Sequence, residues 1–242
     1  MGTQSLQCLP SYSRPETTSS RAYGVFPVRL EDGVIEVMGD ARSRDEIGHR
    51  VDGSLFDYFC QQYGMPGTDE FAKHRTLFLE SLVPSSIASW VLQLKDRHNG
   101  NIMYSDLGRM LHIDFGFAFD IAPGGDLSIE VAPFKMTQEM VDILGTSPDS
   151  PGFSEFRVLT VRAFLVLRRC PGPFLSAIQA VLSNGMPCFK PGSIGRVQKR
   201  MGLDIGNAAA VQFIHLKIAQ SANRFLTNVY DVFQGLQNKI TY

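Results

Sequence analysis

Lys95-Asp-Arg-His-Asn-Gly-Asn-Ile-Met103 and His112-Ile-Asp-Phe-Gly-Phe117 decide how this chain is read. Asp96 is followed five positions later by Asn101, and Asp114 opens an Asp-Phe-Gly. Between them, Asn101-Ile-Met-Tyr104 and Met110-Leu-His-Ile113 flank Ser-Asp-Leu-Gly-Arg, a turn sequence, so a short hairpin is predicted. Such a hairpin brings the two polar clusters to one end of the same small sheet. Asp114 offers a hard anionic oxygen of the kind magnesium prefers, and Asn101 adds a neutral one.

Protein kinases use this spacing: an Asp, an Asn five residues on, and a metal-binding Asp-Phe-Gly after a hairpin. Phosphoryl transfer needs the arrangement because charge on the moving phosphoryl group must be neutralised, which a held magnesium ion does. A neighbouring side chain must also orient the attacking hydroxyl and take its proton, and Asp96 and His98 are the candidates. Each motif alone is weak. Together, joined by apolar strands, they point to ATP-dependent phosphoryl transfer.

Working outward, residues 1–22 are rich in Ser, Thr and Pro and read as a disordered or divergent segment. Val25-Phe-Pro-Val-Arg-Leu30 and Val34-Ile-Glu-Val-Met38, separated by Glu31-Asp-Gly33, read as a hairpin. Ser54 to Tyr63 reads as a helix stopped by Gly64. A second helix is capped by Asp69, with Phe71, Phe78 and Leu82 on one side, and Pro84 is expected to interrupt it before Ile87 to Leu94. The stretch after Asp114, with Pro123, Gly124, Gly125 and Pro133, lacks periodicity and reads as a long functional loop. Helices are expected over Phe153–Arg169, from about Pro173 to Asn184-Gly185, from a cap at Asn207 with Val211, Ile214 and Ile218 on one side, and over about 223–238. There are no internal repeats. The expected class is α+β, mainly helical, with short β-hairpins.

Composition narrows the partners. Lys plus Arg is 23 against 24 for Asp plus Glu, a net charge of -1, which argues against a nucleic-acid binder. Hydrophobic residues make up 44%, enough for a sizeable core. Cys8, Cys60, Cys170 and Cys188 form no Cys-x-x-Cys pair and read as reduced thiols of a cytoplasmic protein. No run reaches the roughly 18 apolar residues of a membrane span, and the first residues lack a signal-peptide pattern, so membrane contact is expected to be peripheral.

Asp96-Arg-His-Asn-Gly-Asn101 resembles the catalytic loop of the phosphatidylinositol 3- and 4-kinase family. Gln93-Leu-Lys-Asp-Arg-His98 is closer to the 4-kinases, which carry Lys before the Asp. Ser43-Arg-Asp-Glu-Ile-Gly48, His112 to Phe117, Pro123-Gly-Gly125, Gly185-Met-Pro-Cys-Phe189 and the terminal Tyr230-Asp231 through Tyr242 resemble the alpha-type 4-kinases in particular. The likeness runs from about residue 24 to the end. It implies a partial kinase catalytic domain over 23–242, comprising the hinge and C-terminal lobe, with an activation loop at about 114–137.

The resemblance implies site roles as well. His98 would be the general base, Asp96 would orient it or share the role, and Arg97 would join the catalytic set chiefly by supporting the loop. Asn101 and Asp114 would hold Mg2+. Glu36, Val37 and Met38 would form the hinge that binds the adenine of ATP, with Met103 and Ile113 beneath it. The loop would read the lipid headgroup, and its one cation, Lys135, is the headgroup candidate. That sparse charge suits unphosphorylated phosphatidylinositol, since additional phosphates would need additional cations. The implied activity is transfer of the ATP γ-phosphate to the 4-hydroxyl of phosphatidylinositol at a membrane surface, in particular the plasma membrane, with scaffold or regulatory proteins as further partners. Phe225, Val229, Val232, Phe233, Leu236 and Ile240 give the last helix an apolar side that packs on the core or meets the membrane. His49, His74 and His215 read as structural or exposed.

One departure from the family stands out. The first lysine is Lys73, and residues 1–23 contain neither a Gly-rich loop nor a candidate strand lysine. The chain is therefore expected to be a fragment of a kinase with weak activity or none on its own. The alternatives are a non-catalytic binding module of pseudokinase type and a phosphatidylinositol 3-kinase.

Overall fold

Two hydrophobic clusters organise the protein, and one long helix runs through both. The computed structural model describes residues 23–29, 32–119, 121, 132–147, 149–182, 190 and 192–222. Strands β1 (Val25–Pro27) and β2 (Gly33–Ile35) form an antiparallel hairpin with Phe26 opposite Val34. Strand β3 (Ala41–Ser43) leads into α1 (Arg44–Arg50), followed by α2 (Leu55–Tyr63) and α3 (Asp69–Leu92). Strands β4 (Ile102–Ser105) and β5 (Met110–His112) complete a three-stranded sheet in the order β3-β4-β5. The rest is helical: α4 (Gln138–Leu144), α5 (Pro151–Arg169), α6 (Pro171–Leu182), α7 (Ser193–Arg200) and α8 (Asn207–Ala222). The chain is thus mainly helical with small antiparallel sheets, as expected. None of the described helices is long and apolar enough to cross a membrane.

Helix α3 is where the sequence reading fails. Pro84 lies inside one continuous helix of 24 residues. A mid-helix proline costs about 3 kcal/mol. Packing on both sides offsets it: Phe78, Leu82 and Val83 belong to the first cluster, Ile87 and Val91 to the second. Pro84 therefore sits at the junction of the two cores. The cap is Thr68, whose hydroxyl accepts from the Phe71 amide, and not Asp69.

Strand β3 and helices α1, α4 and α7 were not anticipated. For α1 the sequence did carry a signal: Ser43 and Glu46 form a reciprocal capping box. Helix α5 starts at Pro151 behind the Ser150 cap, slightly ahead of the expected Phe153. Helix α6 starts at Pro171, which puts Pro173 in its first turn, as expected. In α8, Ile214 and Ile218 are buried and Val211 half-buried. The expected stop at Asn184-Gly185, the expected helix over 223–238 and the middle of the long loop (120 and 122–131) lie outside the described residues.

The small sheet is fastened to α3 by polar groups. The Met110 amide donates to the Ser81 hydroxyl at 2.8 Å, satisfying an edge donor of β5. His74 is buried, with ring nitrogens 2.8 Å from the Leu107 carbonyl and 2.9 Å from Glu70 Oε1, and it stacks on Tyr63. It is structural, as expected. Gly108 closes the β4–β5 turn at φ +81°, a conformation that disfavours side chains. Cys60 and Cys170 are free thiols.

A second tie spans the loop. Arg44 of α1 holds Glu139 of α4 through two bonds of 2.6 and 2.9 Å, and Glu139 Oε1 also accepts from the Leu55 amide at 3.2 Å. Hydrogen bonding to Arg44 lowers the Glu139 pKa below its ordinary 4.5, against the opposing effect of burial. A carboxylate whose folded pKa is depressed stabilises the fold above its unfolded pKa, and that contribution fades as pH falls through the folded value. Glu139→Gln should lower stability by about 2 kcal/mol at neutral pH. The gap to the parent should narrow below pH 4.5 in urea unfolding measurements, and a gap independent of pH would contradict this account. Gly152 offers a separate test. A Cβ there would collide with the Leu144 carbonyl, so Gly152→Ala should cost about 2 kcal/mol through overpacking.

Candidate active site

The site forms where α3 ends. Gln93 terminates the helix in a left-handed conformation, φ +53°, and the chain turns into the Asp96–Asn101 loop. The Lys95 amide donates to the Phe117 carbonyl at 2.9 Å, laying this loop beside the Asp-Phe-Gly segment. Asp96 and Asp114 both adopt left-handed backbone angles, φ +62° and +56°. Such angles are uncommon outside glycine, although Asp tolerates them better than most residues. Backbone strain at two neighbouring carboxylates is typical of functional sites.

Arg97 is the fastener. Its side chain is 2% exposed and donates to three backbone carbonyls: Lys95 at 2.8 Å, Ile113 at 2.7 Å, and Asp114. A buried guanidinium with its planar fork suits this task, because each carbonyl receives a charge-assisted bond. Its charge also lies 5.8 Å over the Phe115 ring. Arg97 thus holds the two sequence motifs together and acts as a positioning residue.

Asn101 is buried and oriented by its own loop. Its side-chain Nδ2 donates to the Asp96 carbonyl at 2.9 Å, which leaves Oδ1 as the available ligand atom. Its backbone carbonyl accepts from the Ile113 amide at 3.2 Å, next to Asp114. The Asp114 carboxylate is exposed, and its Oδ1 accepts from the Gly116 amide at 3.1 Å. A carboxylate oxygen and an amide oxygen are a fitting donor set for magnesium, which takes one or two protein oxygens and completes its shell with phosphate and water. Among the described residues no group of three His, Cys, Asp or Glu could hold a metal alone.

His98 is exposed. Its Nδ1 accepts from the Gly100 amide at 3.0 Å, and its Nε2 is 4.0 Å from Asp96 Oδ2. An amide can only donate, so the neutral ring carries its proton on Nε2 in this geometry. For His98 to take a proton, the ring must leave the Gly100 amide, whereas Asp96 is an acceptor already. His112 precedes this segment. Burial first, and the nearby Arg97 charge second, push its pKa down to about 4, so it is neutral at pH 7.

The other expected contacts are spread around this centre. Met103 is half-buried and lies on the opposite face of β4 from buried Ile102 and Tyr104. Ile113 is half-buried at the end of β5. Glu36 and Val37 are exposed, while Met38 is buried and its carbonyl accepts from the Ala41 amide. The Glu36 carboxylate binds the Gly24 amide at 2.7 Å. Lys135 is half-buried between buried Phe134 and Met136, and no bond joins it to Asp96, His98 or Asp114. Sequence reading overlooked the link from Lys95 Nζ to the Ala132 carbonyl, 3.5 Å, which ties the loop exit to the Asp96 loop. It also overlooked Tyr23, which lies within the fields of Arg97 and Asp114 and whose hydroxyl pKa is raised chiefly by burial.

Arg97→Met keeps much of the bulk but orphans three carbonyls, and should cost about 3 kcal/mol or more in urea unfolding, with Arg97→Lys recovering some of that loss. A Met variant within about 0.5 kcal/mol of the parent would contradict the fastening role.

Comparison with known proteins bears on the same residues. The family described as phosphatidylinositol 3- and 4-kinase matches residues 11–191. Phosphatidylinositol 4-kinase STT4 of Saccharomyces cerevisiae is 40% identical over 224 residues, covering 90% of this chain and 12% of that protein. Phosphatidylinositol 4-kinase alpha 1 of Arabidopsis thaliana is 39% identical over 221 residues, covering 90% and 11%. Putative phosphatidylinositol 4-kinase alpha-like protein P2 of Homo sapiens is 38% identical over 230 residues, covering 90% and 38%. The chain thus spans a minor fraction of each of these relatives. With the family match running through both the Asp96 loop and Asp114, the chain belongs to the phosphatidylinositol 3- and 4-kinase family.

Proposed function

We propose that this chain carries the phosphoryl-transfer centre of a phosphatidylinositol 4-kinase. The acceptor is the 4-hydroxyl of phosphatidylinositol, presented at a membrane on whose cytoplasmic face, in particular at the plasma membrane, the protein sits peripherally. The reading rests most on one observation: Arg97 and Asn101 bond the Asp96 loop to the backbone of Ile113 and Asp114, so the two motifs lie side by side. The names of the relatives support the 4-kinase assignment.

In this reading Asn101 Oδ1 and the Asp114 carboxylate hold Mg2+, which neutralises charge on the ATP phosphates when bound. Asp96 accepts the proton of the inositol hydroxyl directly, or His98, once its ring has released the Gly100 amide, takes that proton on Nδ1 while Asp96 accepts the one on Nε2. Glu36, Val37 and Met38 meet the adenine edge, with Met103 and Ile113 against its face. Lys135, the one cation between residues 114 and 137, contacts the lipid phosphodiester. Scaffold or regulatory proteins would place the chain at its membrane.

Positioning and electrostatics supply most of the rate in phosphoryl transfer. The 242 residues have no lysine before Lys73, which lies on the exposed side of α3 and pairs with Glu70. The purified chain should therefore turn over slowly or not at all, and ready formation of phosphatidylinositol 4-phosphate by it would overturn that expectation. The activity itself is tested in a chimera. Residues 24–242 replace the matching segment of the yeast relative, and the product is identified by position of phosphorylation. Phosphatidylinositol 4-phosphate is expected, with a loss of at least about a hundredfold for Asp114→Ala. A 3-phosphate product, or activity indifferent to Asp114, would refute the assignment.

A further inference from the structure

Charge is divided unevenly along the chain. Residues 1–150 hold 12 Lys and Arg against 21 Asp and Glu, whereas residues 151–242 hold 11 against 3. The near-neutral total conceals this. In the acidic region several cations are paired within the fold, as in Arg42–Asp106, Arg44–Glu139 and Arg109–Glu80. The basic region differs, and the difference is clearest on α5.

Helix α5 buries Phe153, Phe156, Thr160 and Phe164. On its opposite side lie Val158, Arg162, Val166 and Arg169, all exposed, within about 80° of arc at 3.6 residues per turn. Val158 is 49% and Val166 61% exposed. Arg162 and Arg169 make no hydrogen bond or ion pair among the described residues. One acid, Glu155, lies at the N-terminal end of this face. Helix α6, which follows directly, carries no charged residue in Pro171–Leu182. Alternating valine and arginine on one exposed helix face is the pattern of an interfacial surface: the apolar stems enter the headgroup boundary while the guanidinium groups meet lipid phosphates.

We propose that the outer face of α5 docks on an anionic bilayer. Charge complementarity selects this occupant, because a neutral surface would leave Arg162 and Arg169 without counter-charges, and valines suit a bilayer boundary better than an acidic polypeptide. The proposal rests on the membrane role in the function above and assigns it to residues other than Asp96, Asn101 and Asp114.

The test uses the full chain with vesicles of phosphatidylcholine alone and of phosphatidylcholine and phosphatidylserine in equal amounts, without ATP or phosphatidylinositol. Sedimentation should show binding to the anionic vesicles only, weakening as salt rises. A cation near such a surface contributes about fivefold in affinity, so Arg162→Glu/Arg169→Glu should weaken binding by about twentyfold or more. Its urea unfolding should match the parent, since neither side chain holds the fold. Arg50→Glu, an exposed change in the acidic region, should leave binding within about twofold. Equal binding by parent and double variant, failure of the parent to bind anionic vesicles, or preference for polyglutamate over them would each overturn the proposal. Because the assay lacks both kinase substrates, its failure leaves the kinase reading standing, and failure of the chimera leaves this one standing.

Discussion

The guanidinium of Arg97 meets the carbonyls of Lys95, Ile113 and Asp114 from a buried position, and the geometry of the candidate site depends on that meeting. Burying a cation is costly unless it is fully bonded, and backbone carbonyls are acceptors that no rotamer change can withdraw. The interaction therefore constrains the main chain itself. It fixes the path on both sides of the β4–β5 hairpin, where Asp96 and Asp114 take up left-handed conformations.

The rest of the fold brings the pieces into range. Helix α3 delivers the Asp96 loop, Ser81 and His74 hold the sheet to that helix, and the Arg44–Glu139 pair fastens the far end of the long loop to α1. Phe134, also at that far end, is anchored twice, by its amide to the Ser221 hydroxyl and by its ring against Phe156. The loop is thus pinned at both of its described ends. The β1–β2 hairpin is held less tightly: Val25, Phe26, Val28, Val34 and Ile35 are each more than half exposed, as is Val37 beyond it. Two-stranded hairpins are marginal on their own, and this one leaves most of its apolar side chains to solvent.

Much of the site was legible because its chemistry is local. Asp96 and Asn101 are separated from Asp114 by a hairpin whose turn and alternation are written in the sequence, and the β4–β5 pairing follows from them. Capped helices such as α2, behind Ser54, were legible for the same reason. Features set by tertiary packing were not. Pro84 looks like a break until two cores are seen to grip the helix around it, and the short helices α4 and α7 rest on contacts made far along the chain. The proton position on His98 was also hidden, because it depends on a backbone amide two residues away. The segregation of charge was present in the sequence all along, but only α5's packing shows which arginines face outward.

The central claim is that one ion is shared by the two motifs. It is tested most directly by a crystal structure of the chain with manganese and a non-hydrolysable ATP analogue, locating the metal by its anomalous scattering. The account expects a manganese ion about 2.1–2.2 Å from both Asn101 Oδ1 and an Asp114 carboxylate oxygen, its remaining ligands being phosphate and water. Metal bound elsewhere, or Asn101 and Asp114 facing different cavities, would contradict it.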